Sequence, residues 1–113
     1  MFRYDATLFE GLPRAKFLRA LAQAGVAASS GYTALNTSPH VQALAANPHY
    51  RRIYGAATMQ SWLERNRCPA NDRLVEQAVW LAQTKLLEPR AEMERIATVI
   101  ADIRGRAGEL NRT

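Results

Sequence analysis

Two stripes of apolar residues at helical spacing, one near each end of the chain, set the terms on which this sequence can fold. The first follows Gly11-Leu12-Pro13: Phe17, Leu18, Leu21 and Ala24 recur on one face, while Arg14, Lys16, Arg19 and Gln23 fall on the wet side. Proline suits a first helical turn, where its missing N–H has no partner to lose, and Gly25 can take the left-handed conformation that closes the helix. The second stripe, Met93, Ile96, Ala97, Ile100 and Ile103, predicts a helix from Arg90 to Arg106, ended by Gly105 and Gly108. A helix with one apolar face must bury it against another layer. The rest of the chain has to supply that layer.

Three short segments can do so. Phe2-Arg3-Tyr4 alternates aromatic and charged residues as a half-buried strand does, Val26–Ser29 leaves the first helix as a second strand, and Ala78-Val79-Trp80-Leu81 is rich in strand formers. Pro69–Gln77 reads as a helix with Leu74 and Val75 facing in. Residues 32–48 read as irregular, with one helical turn around Val41–Ala45 fenced by Pro39 and Pro48. Between Tyr50 and Arg67, Ile53, Tyr54, Met59, Trp62 and Leu63 show no clean period, so a loop with a helical turn or two is expected there. Leu86-Leu87-Glu88-Pro89 marks a bend, and Glu109–Thr113 reads as a frayed tail. The outcome is an α+β layer of three short strands and two or three helices, one domain over residues 1–113. So small a sheet leaves one face needing a partner.

Composition narrows the classes. An apolar share of 48% over 113 residues is enough to fold around a core without metal or disulfide. Cys68 is the only cysteine, which excludes an intramolecular disulfide. The longest stretch without Lys, Arg, Asp or Glu, Ala20–Tyr50, is broken by Gly25, Gly31, Pro39 and Pro48, so no bilayer-spanning helix is expected. Met1–Asp5 lacks the apolar core of a signal peptide, and a soluble cytoplasmic chain is the expectation. The net charge is +5, and thirteen of the fifteen basic residues are Arg, but Glu64, Asp72, Asp102 and Glu109 are interspersed. A solvated surface accounts for that pattern.

Chemistry-bearing residues are sparse. Cys68 as a nucleophile needs a base, and only His40 and His49 exist, both well upstream; a half-buried structural cysteine before Pro69 is the expectation. The two histidines and one cysteine match no metal-ligand spacing. The glycines stand singly, so no phosphate loop is present. Glu88, Glu92 and Glu94 read as solvent-facing partners of Arg90 and Arg95 rather than an acid–base pair. Tyr50-Arg51-Arg52-Ile53-Tyr54 is the nearest approach to a nucleic-acid footprint, short of a stripe or cluster. Lys16 lies on the wet side of its helix and Lys85 in a loop without a carboxylate or phosphate cup, so neither reads as a Schiff-base lysine.

One ordered set of residues does point to a family. Tyr4-Asp5, Phe9-Glu10-Gly11-Leu12-Pro13-Arg14 and Phe17-Leu18-Arg19-Ala20-Leu21 come first, then Gly25-Val26, Ser30-Gly31-Tyr32 and Leu35. Asn47-Pro48, Tyr50-Arg51-Arg52, Cys68-Pro69, Asp72-Arg73 and Glu76 follow, and Ala78-Val79-Trp80-Leu81, Gln83, Leu86-Leu87 and Met93 close the set. Across nearly the whole chain this order resembles the small C-terminal domain of the pyridoxal-phosphate-dependent sugar and cyclitol aminotransferases of the DegT/DnrJ/EryC1/StrS group. The resemblance implies a mostly antiparallel sheet, as in the small domain of fold-type-I aminotransferases. It also implies that pyridoxal phosphate belongs to a large domain carrying the aldimine lysine, the ring aspartate and the phosphate cup, all outside residues 1–113.

On that resemblance the chain holds no cofactor and no catalytic residue of its own. It closes over a keto-sugar or keto-cyclitol, and its partner is a large aminotransferase domain or a second copy. Tyr32 and Gln83 are the substrate-side residues the resemblance carries over; a phenol and an amide can both hydrogen-bond a polyol. A packed tyrosine and a solvent-facing glutamine are the alternatives. Two other functions stay open: a stand-alone protein-interaction module, and a small basic nucleic-acid binder led by Arg51, Arg52, Arg65 and Arg67.

Overall fold

A computed structural model describes residues 1–112. The elements run β1 (Phe2–Arg3), a 3-10 turn at Ala6–Phe9, α1 (Arg14–Gln23), β2 (Ala28–Ser29) and a second 3-10 turn at Leu35–Thr37. Four helices follow: α2 (Pro39–Leu44), α3 (Pro48–Tyr54), α4 (Ala56–Arg65) and α5 (Pro69–Gln77). Then come β3 (Ala78–Leu81), α6 (Gln83–Leu86), α7 (Arg90–Gly105) and α8 (Ala107–Arg112). They form two units: residues 1–31 with those from Glu76 onward, and residues 32–75.

The first unit holds the sheet, in the order β1-β3-β2. Both pairings are antiparallel, with Phe2 opposite Val79, Arg3 opposite Ala78, Ala28 opposite Leu81 and Ser29 opposite Trp80. The α+β class, the three strands and their antiparallel sense are as the sequence and its resemblance imply. Phe17 is the centre of the core, fully buried on α1. Its ring meets Tyr4 at 4.6 Å between centroids and Phe9 at 5.1 Å, with Phe2 edge-on at 6.4 Å. Leu12, Leu21, Val26, Val79, Ile96 and Ile103 complete it. Ala24 and Ala97, placed on the apolar stripes by spacing, are exposed, because each lies at the edge of its buried face.

Two basic side chains of α1 expected on the wet side do more than meet water. Arg14 Nη1 donates to the Ala78 carbonyl at 2.9 Å, and half-buried Lys16 donates to the Asn111 carbonyl at 2.7 Å. The last carbonyls of α8 thereby find a cation, which suits a helix C-terminus. The expected frayed tail is therefore helical through Arg112, while Thr113 lies outside the described residues.

The second unit departs most from expectation. α2 falls where one helical turn is expected, and α3 and α4 replace the expected loop with a helical turn or two; with α6 and α8 they take the chain beyond two or three helices. Pro39 and Pro48, read as fences, are the first residues of α2 and α3, where proline is pre-organised. Ser38 Oγ accepts from the Val41 N–H at 3.3 Å, and Asn47 Oδ1 from the His49 N–H at 2.9 Å, so each start is capped. Gly55, at φ 85°, ends α3 and begins α4. Met59 is the one buried residue here among those described; Trp62 and Leu63 are half-buried one turn along.

Candidate functional site

Within the first unit, β2 delivers the chain to Gly31 beneath Trp80. The register that sets Ser29 opposite Trp80 brings the indole over the Gly31 Cα. A Cβ at Gly31 would run into the indole nitrogen, and φ there is +72°, so glycine is required twice over. A shallow apolar depression of about 370 Å³ borders this strand pair, with Ala28, Trp80, Leu81 and Ala82 on its walls.

Tyr32 is the next residue and opens the second unit. It is 81% exposed, which removes the reading of its ring as core packing. Gln83, the first residue of α6 in the first unit, is exposed as well, as both of its readings require.

The lysines do not fit pyridoxal phosphate. Lys85 sits in the short helix α6 rather than a loop, and Glu88 Oε1 lies 2.8 Å from its ammonium nitrogen. The hydrogen bond to Glu88, then that carboxylate's charge, raises the Lys85 pKa. An aldimine needs a neutral amine, and this pairing opposes one. Lys16 is committed to the α8 carbonyls.

The remaining candidates are placed as follows. Cys68 is exposed instead of half-buried, one residue before α5 begins; its Sγ is 3.4 Å from the Asn66 carbonyl. His40 and His49 lie exposed on α2 and α3. Among the described residues no group of three His, Cys, Asp or Glu is poised for a metal. Arg95 pairs with Glu92 through two nitrogens at 2.6 and 2.7 Å, and the hydrogen bond from Arg95 lowers the Glu92 pKa. Arg90 pairs with Glu94 at 2.7 Å, and Glu88 takes Lys85 in place of the expected Arg90.

One site was named by sequence reasoning only in pieces, with Tyr50, Tyr54 and Arg65 in a nucleic-acid footprint and Met59 and Trp62 as packing residues. In the second unit a cleft of about 350 Å³ opens between α3 and α4, edged by Leu44 of α2. Tyr50 and Tyr54, one turn apart on α3, line one side, their rings 6.2 Å apart and 20° from parallel. Thr58, Met59, Trp62 and Arg65 follow on α4 at spacings of one, three and three. That helical spacing was available in the sequence, provided it is counted from Gly55 and not across it. Arg51 and Arg52 are exposed on α3, outside the cleft lining.

Comparison with family models, with curated proteins and with solved structures finds no match for this chain.

Proposed function

We propose that the chain is a small domain of the sugar and cyclitol aminotransferase type, working in the cytoplasm. It closes over a keto-sugar or keto-cyclitol held by a cofactor-bearing partner domain and carries no catalysis alone. The observation that carries this reading is the presentation of Tyr32: an exposed phenol on the residue after a glycine pinned beneath Trp80. A rigid lead-in lowers the ordering cost of placing that side chain against a ligand. The β1-β3-β2 antiparallel sheet agrees with the small-domain expectation, and the engagement of both lysines agrees with a cofactor held elsewhere. Tyr32 and Gln83 are the two residues that the resemblance offers as hydrogen-bonding groups for polyol hydroxyls.

Two measurements test it. Incubated with pyridoxal phosphate, the protein gives no aldimine absorbance; a stoichiometric band that Lys85→Ala abolishes refutes the reading. Supplied to the isolated cofactor domain of an aminotransferase of this group, the chain raises amino transfer to a keto-cyclitol. Tyr32→Ala and Gln83→Ala raise it less.

A protein-interaction module is the second reading, favoured by the exposure of Leu35 (74%), Ile53 (66%) and Leu87 (77%). Sedimentation separates it partly, since self-association of the pure chain points to a second copy as the partner.

A further inference from the structure

Three aromatic rings and one guanidinium bound the cleft of the second unit, and their arrangement is chemically selective. Met59 forms a buried floor, and a thioether adapts to flat ligands while making favourable contacts with aromatic edges. Tyr50, Tyr54 and Trp62 supply π surfaces from two different helices. Tyr50 stays 40% and Tyr54 57% exposed although a concave apolar surface lies beside them. A volume of about 350 Å³ falls at the small end of clefts that take metabolites.

Arg65 closes one end. Its Nη1 is held by Ser61 Oγ at 2.9 Å, which steadies the guanidinium and leaves other N–H donors of the fork to a ligand. Arg65 ends α4, and helix C-terminal carbonyls oppose an anion; here the Asn66 amide donates to the Trp62 carbonyl at 2.8 Å and blunts that opposition. No acidic side chain lines the cleft. Residues 32–75 carry Arg51, Arg52, Arg65, Arg67 and Arg73 against Glu64 and Asp72, or +3 of the chain's +5. Among the described residues no ion pair joins these arginines to a carboxylate. An aromatic cage for a cation would need the opposite charge at its end.

We propose that this cleft binds a small planar anion, an aromatic ring bearing a carboxylate or a phosphate, with the ring on Tyr50, Tyr54 and Trp62 and the anion on Arg65. The site stands apart from the aminotransferase reading and uses neither Tyr32 nor Gln83. A single-stranded nucleic acid needs a longer track of stacking rings and cations than this one cleft offers.

Calorimetry on the intact protein tests the assignment with indole-3-acetate and adenosine monophosphate as the carboxylate and phosphate probes. Adenosine and inorganic phosphate serve as ring alone and anion alone for the phosphate probe, indole and acetate for the carboxylate probe. At least one ring-bearing anion binds roughly tenfold or more tightly than either half, and Arg65→Gln removes about that factor. Arg65→Lys, which keeps charge but loses the fork, falls between. The tighter of the two probes identifies the anion. Binding of adenosine monophosphate, which does not share the indole emission, quenches tryptophan fluorescence, and the quenching disappears in Trp62→Phe. Neither probe binding, both ring-alone probes binding as tightly as their anions, indifference of the tighter anion to Arg65→Gln, or quenching that survives Trp62→Phe overturns the proposal. So does an oligonucleotide that binds more tightly than the monophosphate with a steep salt dependence, which assigns the surface to nucleic acid.

Discussion

Tyr4 is the residue where burial has its clearest chemical consequence. Its hydroxyl donates to the Leu12 carbonyl at 2.6 Å, and its ring stacks on Phe17 with only 4% of its surface exposed. Burial, reinforced by the charge of Asp5, pushes its pKa from the usual 10.0 up to about 12. The native state therefore keeps a proton that the unfolded chain releases first. Stability from this group is whole below pH 10 and declines as pH climbs toward 12, by about 3 kcal/mol in all. Urea unfolding across that window measures the slope, and Tyr4→Phe removes it at a neutral-pH cost of about 1 kcal/mol. Gly31 makes a second single-residue prediction. Gly31→Ala meets both a positive φ and the Trp80 indole, and loses about 1–3 kcal/mol with a changed Trp80 near-ultraviolet signal.

Elements were legible where one phase of the period ran unbroken. Phe17 and Leu21, then Ile96 and Ile103, sit on single helices whose buried face the sequence exposes directly, and Ala78–Leu81 carries its own strand formers. The helices α3 and α4 were hidden because Gly55 resets the phase between Tyr54 and Met59. Counting across that break destroys a period that each helix keeps by itself. The aromatic cleft was illegible for the same reason, since its walls lie on either side of the break. Tyr32 could be named from the resemblance, but the Ser29–Trp80 register that sets the indole over Gly31 is displayed by no local pattern. The helix α8 was missed because its last carbonyls are satisfied by Lys16, ninety-five positions from Asn111. Lys16→Met should leave α8 to fray: amides of residues 107–112 exchange faster, while global stability falls by no more than about 1 kcal/mol.

At the scale of the whole chain, burial is unequally shared. Every buried residue among those described belongs to the first unit except Met59. Opening free energies follow local burial, so amides of α2, α3 and α4 should exchange well before those of α1, β3 and α7. Met59→Ala removes the floor of the second unit and costs it about 2–4 kcal/mol, enough to melt α3 and α4 while the Phe17–Tyr4 ring stack keeps its native signals. Ligand binding supplies the opposite perturbation. A ring-bearing anion at a hundredfold excess over its Kd adds about 2.7 kcal/mol to whatever state it binds. If that state is the folded cleft, adenosine monophosphate or indole-3-acetate slows exchange in α3 and α4 and leaves α1 and α7 unchanged. Protection spread evenly over both units would mean that they open together, and that the lone buried methionine does not define a separately unfolding part.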